Sequence, residues 1–273
     1  MTTHKSPAAP PSLANHRANR RQKQQPTTMG RRAWGFIREL LIVVVGAVVV
    51  SSLLRAFVGQ MFIIPSQSME NTLLVGDRVV VEKLTDFQRG DVVVFSDPGG
   101  WLQDEPVDNP APWDKALEFI GVPTKSTPGH LIKRLIGMPG DKVVCCNSRG
   151  RITVNGQAID ETSYLYTDPD GVQVHPSDVK FQVVVPKDRI FVMGDHRDLS
   201  ADSRCHLSDL STSGGIGQVA FVPISLVVGP AFAIAAPLDR AGRLRRPGTF
   251  AKVPDPSEPP PTKAVIKPAG VSC

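Results

Sequence analysis

The stretch FIIPSQSMENTL, residues 62–73, follows directly behind the strongly apolar run of the N-terminal third. Ser66 and Ser68 occupy alternate positions, so in an extended chain their side chains point to one side while Gln67 points to the other. One hydroxyl could then attack a substrate while the other donates a hydrogen bond. A serine hydroxyl is a poor nucleophile until a neighbouring base takes its proton. The stretch therefore predicts a base elsewhere in the chain.

The apolar run LLIVVVGAVVVSSLL, residues 40–54, contains no charge and is flanked by Arg38 and Arg55. It is apolar around the whole helix circumference, which favours a membrane span over a buried soluble helix. A bilayer core needs about 20 residues, so the two arginines must extend their charges to the interface. A cleavable signal peptide is the alternative, but no small-residue cleavage site follows. We predict a single-pass anchor helix over residues 34–58.

The two ends of the chain have compositions typical of disorder. Residues 1–33 are basic and contain no Asp or Glu, and residues 239–273 are rich in Pro, Lys and Arg. Much of the net charge of +5 lies in the first tail, which argues against a nucleic-acid-binding face. The basic side of a membrane helix stays cytoplasmic. We therefore predict a protein of the cell membrane, with its N-terminus in the cytoplasm and an extracytoplasmic domain over residues 59–238.

Short β-branched stretches separated by turn residues predict a mainly β, antiparallel domain. The predicted strands include 78–84, 92–95, 181–186 and 189–193. Residues 142–154 are predicted as strand, turn and strand, with a hairpin signal at Asn155–Gly156. Residues 96–130 form a loop-rich insertion with one possible short helix at 112–119, to which we assign no chemistry. Residues 221–238 are apolar, but prolines interrupt them, so a second span is not predicted.

The stretch LIKRLIGMPGD, residues 131–141, offers the missing base. Lys133 lies on a short apolar strand just before a turn. Burial disfavours the charged amine and can lower its pKa from about 10.4 toward 7 or 8, where a useful fraction is neutral. Strand composition alone, however, favours a surface lysine beside Arg134, since lysine is rarely fully buried.

Four blocks in order make the chain resemble the bacterial type I signal peptidases, and specifically the actinobacterial forms. Two blocks match in full, the family's R-G-D-V-V-V-F and K-R-x-x-G-x-P-G-D. The other two, S-x-S-M-x-P-T-L and G-D-N-R-x-x-S-x-D-S-R, depart at Asn71 and at His196. The blocks occupy residues 66–73, 89–95, 133–141 and 194–204.

The resemblance implies a Ser-Lys dyad, with Ser68 as nucleophile and Lys133 as general base. Ser66 would help the backbone amide of Ser68 to stabilise the oxyanion, and Ser200 would hold the lysine amine. Two ion pairs would fix the neighbouring strands: Asp202 with Arg204, and Asp195 with Arg134. No cofactor and no metal is implied.

The resemblance also implies a substrate, the signal peptides of secreted preproteins. Phe62, Ile64 and Ile132 would line shallow apolar pockets that admit small side chains, which gives a preference for Ala-x-Ala before the cut. The peptide would lie extended along a strand edge. The lipid bilayer, which holds signal peptides, would deliver them.

The cysteines leave their pairing open. An extracytoplasmic domain permits disulfides, and a bond from Cys205 to either Cys145 or Cys146 would join two active-site strands. Adjacent cysteines on a strand point to opposite faces, so only one of these two is expected to pair. Zinc binding by these cysteines and His206 fits no usual ligand spacing.

The sequence leaves two rival functions open. Self-cleaving transcriptional repressors share a Ser-Lys dyad and fold, but carry a DNA-binding helix-turn-helix where this chain has an apolar helix. A catalytically silent, membrane-anchored β module is the other rival, and it predicts that Ser68→Ala changes nothing in preprotein processing.

Overall fold

The chain is a mainly antiparallel β protein behind one long N-terminal helix, which confirms the predicted fold class. The computed structural model describes residues 29–57, 59–102, 129–210 and 215–267. In these ranges the α-helix is α1 (Met29–Phe57), and the strands are β1 (Gly59–Ile63), β2 (Arg78–Glu82), β3 (Val92–Ser96), β4 (His130–Gly137), β5 (Lys142–Cys145), β6 (Thr153–Val154), β7 (Gln157–Ala158), β8 (Phe181–Val184), β9 (Arg189–Met193), β10 (Val222–Pro223), β11 (Val227–Ala236), β12 (Gly242–Arg243) and β13 (Val265–Lys267).

Helix α1 begins earlier than the predicted anchor. Residues 29–33 are helical, so their assignment to a disordered tail is wrong; Arg and Ala in this stretch propagate a helix well once it has formed. Residues 1–28 and residue 58 lie outside the described residues. Within the helix, Trp34–Ser52 has a mean hydropathy of 2.0 and is long and apolar enough to cross a membrane. The helix therefore fits a single-pass membrane anchor.

The strands belong to a unit that begins at Ala47, separate from the one that ends at Gly46. Its larger sheet has the order β1-β2-β11-β3-β4-β9-β10, with β12 paired to β11, and its pairings are antiparallel. Strand β4 is an interior strand, with Val93 of β3 opposite Lys133 and Met193 of β9 opposite Arg134. The two consecutive cations of β4 are therefore placed inside the sheet rather than at its edge.

The smaller sheet has the order β13-β8-β5-β6-β7. Asn155 and Gly156 join β6 to β7 with φ angles of 50° and 81°, the two positive values that a two-residue type I′ hairpin requires. The predicted hairpin is thus confirmed. Four phenylalanines from both sheets and the C-terminal segment meet in one core: Phe181, Phe191, Phe221 and Phe250.

The predicted insertion is described only at its ends. Residues 103–128, which include the possible helix at 112–119, lie outside the described residues. Trp101 is buried, its ring stacks on His206 at 4.6 Å, and its Nε1 donates a hydrogen bond to the carbonyl of Val219 at 2.9 Å. The start of this segment is therefore packed against the sheet domain.

The predicted disorder of residues 239–273 is wrong for residues 239–267. Strand β12 pairs with β11, Phe250 is buried in the core, and β13 pairs with β8. Composition indicates that such a segment cannot fold alone, but it does not prevent a few spaced apolar residues from packing on a formed domain. Residues 268–273 lie outside the described residues.

The expectation that only one of the adjacent cysteines pairs is also wrong, and neither of the two candidate links to Cys205 is formed. Cys145 forms a disulfide with Cys146, so neither is available to Cys205. The expectation assumed a continuous strand with alternating faces, but β5 ends at Cys145.

Candidate active site

The predicted extended conformation is wrong at Ser68. Ser66 is extended, with φ −135° and ψ 162°, but residues Gln67–Met69 form a single 3₁₀ turn. The turn is fixed by Met69 and Leu73, whose side chains are fully buried. The two hydroxyls still lie close together, with 3.3 Å between the Oγ atoms of Ser66 and Ser68.

Lys133 reaches the Ser68 hydroxyl from the interior strand β4. Its Nζ lies 2.5 Å from Ser68 Oγ, and the side chains of both residues are buried. The alternative of a surface lysine is therefore wrong. Burial lowers the pKa of the Lys133 amine from 10.5 to about 8, against the opposing effect of the Asp202 and Asp195 carboxylates.

Arg134, the next residue on β4, holds Asp195. Its guanidinium makes two hydrogen bonds to the Asp195 carboxylate, at 2.8 and 2.5 Å, and a third to the carbonyl of Gly90 at 2.7 Å. It also lies over the Tyr164 ring, 4.3 Å from the centroid. Thr72 Oγ1 donates to the same carboxylate, which ties the serine turn to β4.

The Asp202–Arg204 pair is present, and Ser200 joins it. Asp202 accepts hydrogen bonds from Arg204 Nε at 2.9 Å, from the Gly194 N–H at 2.9 Å and from Ser200 Oγ at 2.8 Å. Although burial acts in the opposite direction, these partners lower the pKa of Asp202. The Ser200 hydroxyl donates its proton to this carboxylate, while its predicted hold on the Lys133 amine stays a prediction.

Gly194 is a site residue to which the sequence analysis gave no role. A β-carbon at this position would lie 2.5 Å from the Ser68 carbonyl oxygen and would also collide with the Ser200 side chain. Only glycine permits the loop after β9 to approach the serine turn this closely. The sequence signal that could have identified Gly194 was its position as the first residue of the fourth block, residues 194–204.

The three predicted pocket residues are brought together at one cavity. Phe62, Ile64 and Ile132 line one small apolar cavity, and each is nearly buried. Ile132 directly precedes Lys133, and Pro65 of the same cavity directly precedes Ser66.

Comparison with known proteins gives a consistent result. A protein-family model described as signal peptidase, peptidase S26, matches residues 37–236. A signal peptidase I from Mycobacterium tuberculosis is 37% identical over 232 residues, which cover 77% of this chain and 76% of the relative. A probable signal peptidase I from Mycobacterium leprae is 33% identical, over 75% of this chain and 78% of its own. Signal peptidase I P from Bacillus subtilis subsp. natto is 30% identical, over 70% and 90%.

Proposed function

The chain belongs to the signal peptidase family, peptidase S26, and is a serine peptidase that removes signal peptides; we propose that it does so with a Ser68–Lys133 dyad and cuts after Ala-x-Ala-like sites. The observation that supports the dyad is the distance of 2.5 Å between Ser68 Oγ and Nζ of Lys133, which lies on the interior strand β4. The family match favours this function over a self-cleaving repressor.

The neutral Lys133 amine accepts the Ser68 proton as Oγ attacks the carbonyl carbon before the scissile bond. The ammonium so formed then donates that proton to the leaving amine, which releases the mature protein and leaves an acyl-enzyme on Ser68. In the second half, the amine deprotonates a water molecule, the hydroxide attacks the acyl carbon, and Ser68 recovers its proton. A pKa of about 8 suits both directions of transfer.

The oxyanion that forms in both halves needs donors. The Ser68 amide and the Ser66 hydroxyl supply them, which is consistent with the 3.3 Å separation of the two serine oxygens. Removing one such donor typically lowers the turnover rate by about 10²-fold or more.

The two nearby carboxylates must not bind the catalytic amine, because a direct ion pair would keep it charged. Asp195 is bound by Arg134 and Asp202 by Arg204, so each carboxylate is neutralised by a guanidinium. We assign these four residues to the scaffold. Ser200 acts through Asp202, to which it donates its hydroxyl.

The substrate lies extended next to β1, one of the two end strands of the larger sheet in the part of the chain that the structure describes. Backbone pairing of this kind leaves alternate side chains to be read by pockets. The small cavity lined by Phe62, Ile64 and Ile132 accepts alanine-sized groups and rejects larger ones.

The anchor keeps the peptidase on the membrane that also holds its substrates. The basic residues before the helix place the N-terminus in the cytoplasm and the β domain outside, by the positive-inside rule. Its partners are then signal peptides and the lipid bilayer.

The test is the processing, in membranes, of a model preprotein that ends its signal peptide in Ala-x-Ala. Ser68→Ala and Lys133→Ala each lower the cleavage rate by at least about 10³-fold, since each removes one half of a unit that acts together. Mass spectrometry of the product locates the cut, and replacing the alanine before it by Phe blocks cleavage.

The matched controls are Ser148→Ala and Lys142→Ala, which remove the same groups from exposed positions and leave processing unchanged. The dyad is refuted if either site variant, folded as judged by its thermal transition, keeps more than about a tenth of the wild-type rate.

A further inference from the structure

Three consecutive residues of the loop after β9 contact the turn that carries Ser68 or the residues just after it. Gly194 allows the close approach, and Asp195 accepts a hydrogen bond from Thr72. The backbone N–H of the third residue, His196, donates to the carbonyl of Ser68 at 3.1 Å. The nucleophile is thus held by this loop as well as by its own turn.

The side chain of His196 makes a second connection to the same turn. Its Nδ1 lies 3.2 Å from Oε2 of Glu70, two residues after Ser68. The ring is stacked on Tyr166, with 3.8 Å between centroids and 17° between planes. Both members of the pair are largely buried, with side-chain exposures of 9% for His196 and 16% for Glu70.

Together these contacts form a closed loop of bonds, which we call the ring of contacts. It runs along the chain from Ser68 to Glu70, across to His196 through the side chains, and back to the Ser68 carbonyl through the His196 amide. A 3₁₀ turn of three residues has few hydrogen bonds of its own, and here Glu70 N–H donates to Gln67. The ring of contacts therefore restrains the backbone of Ser68, and with it the direction of the hydroxyl.

We propose that Glu70 and His196 form a positioning pair, which holds the Ser68 hydroxyl in line with the Lys133 amine without touching the substrate. The inference rests on the proposed dyad and adds two residues to it. Aromatic stacking on Tyr166 fixes the plane of the imidazole, so that Nδ1 faces the Glu70 carboxylate. Loss of the side-chain link lets the turn rotate and lengthens the distance over which the proton moves.

The experiment compares variants that keep size and change only hydrogen bonding. Glu70→Met removes the acceptor, Glu70→Gln keeps one, and His196→Phe keeps the ring stack and the backbone N–H but removes Nδ1. With a peptide substrate we expect Glu70→Met and His196→Phe each to lower kcat about tenfold with KM within about twofold, because misplacing a reacting group by a fraction of an ångström costs rate rather than binding. Glu70→Gln keeps at least about half of the wild-type kcat.

A double-mutant cycle adds a readout that general destabilisation does not produce. If the two side chains act only through each other, the Glu70→Met/His196→Phe double variant has the kcat of either single variant, about a tenth of wild type rather than a hundredth. The matched control is the exposed pair of His175 and Asp178, with 3.3 Å between Nδ1 and Oδ1. His175→Phe leaves kcat unchanged.

Three outcomes overturn the positioning pair: a wild-type kcat in Glu70→Met or His196→Phe, a change confined to KM, or effects that multiply in the double variant. These results are distinct from failure of the dyad. If Ser68→Ala or Lys133→Ala remains active, the proposed function fails; if both are inactive while the pair variants are normal, only the positioning pair fails.

Discussion

Lys133 has the environment that a lysine base requires. Its amine is buried on an interior strand, its neighbours Ile132 and Leu135 are buried and apolar, and the nearby carboxylates are bound by arginines. Burial alone would lower the pKa further, and Asp202 and Asp195 raise it again. The balance of these two effects leaves the Lys133 amine partly neutral near neutral pH. The fraction that stays charged in this apolar site lowers the stability of the fold.

The first prediction concerns the pH dependence of cleavage. Because the proposed mechanism requires the neutral amine, kcat/KM is expected to rise about tenfold per pH unit below a pKa of about 8 and to level off above it. The measurement is the pH profile of peptide cleavage between about pH 6 and 10. A rate that is flat across this range would contradict a buried lysine base.

The same shift has a consequence for stability, which Lys133→Met isolates because methionine has a similar shape and no charge. Between pH 8 and 10.5 the unfolded chain holds a proton on Lys133 that the folded chain has released, so wild-type stability rises with pH in this window. The variant lacks this slope. Its advantage over wild type in denaturant unfolding is therefore larger at pH 7 than at pH 11, by an amount on the order of 3 kcal/mol. Equal slopes for the two proteins would show that the amine is solvated.

The turn after Ser68 is an element whose geometry differs from what its family block suggests. Asn71, where the family usually has proline, has φ 79°. Proline is locked near φ −65° and cannot adopt this conformation, whereas asparagine is among the residues that tolerate it. Asn71 also donates from Nδ2 to the Leu165 carbonyl at 3.2 Å. Asparagine at position 71 therefore allows a backbone conformation that proline, the usual residue of the family, could not adopt.

Asn71→Pro, which restores the family residue, should thus be harmful here. We expect it to destabilise the domain by more than about 1 kcal/mol, since the native φ is closed to proline, and to slow cleavage because Met69–Leu73 fixes the serine turn. Denaturant unfolding and peptide cleavage report the two effects. Asn71→Gly is the control: it keeps the positive φ and loses only the hydrogen bond to Leu165, about 0.5–1.5 kcal/mol. A stable, active proline variant would refute this account.

Local elements were predicted well where the signal is local. β9 has the predicted bounds, Arg189–Met193, and the Asn155–Gly156 hairpin has the predicted conformation. The 3₁₀ turn at Ser68 was missed because it is set by distant contacts: the Ser68 carbonyl is bound by His196, and Met69 is buried in the core. The alternation of Ser66, Gln67 and Ser68 contains no information about those partners.

The position of Lys133 shows the same limit at longer range. Strand composition favoured a surface lysine, and only the resemblance of four blocks pointed to burial. The structure buries it because β4 pairs on one side with β3 and on the other with β9, more than fifty residues away. Neither pairing can be read from the eight residues of β4.

The assembled domain depends on a segment that composition assigned to disorder. We call residues 239–267 the C-terminal strap; they follow the end of the family match at residue 236. The strap begins at the larger sheet, where Arg240 binds the buried Asp77 carboxylate at 2.9 Å and β12 pairs with β11. It ends at the smaller sheet, where β13 pairs with β8. It therefore links the two sheets.

Between these ends the strap closes the core. Phe250 is 4% exposed and packs against Gly90, where a β-carbon would lie 2.5 Å from the ring. The Pro254 carbonyl accepts from Asn155 of the hairpin, and the Pro261 carbonyl accepts from the Lys187 N–H. Its prolines suit an extended segment that pairs only in short stretches.

Truncation after Asp239 should therefore destabilise the β domain even though the proposed catalytic residues remain. Burial of Phe250 alone stabilises the domain by about 1.5–3 kcal/mol, and the truncation also removes the Arg240–Asp77 pair and the β13–β8 pairing. We expect a loss of at least about 3 kcal/mol, equivalent to a fall in Tm of about 6–12 °C for a domain of this size. Phe250→Ala in the full chain loses about 3–5 kcal/mol by itself, because the cavity it leaves adds to the lost burial, while Lys252→Ala, an exposed residue of the same strap, loses none. The described hydrogen bonds of Lys133 and Ser68 join them to each other and to neighbours outside the strap, so cleavage well below the lowered Tm should be near the wild-type rate. A truncated protein with an unchanged Tm would show that the strap lies on the domain without supporting it.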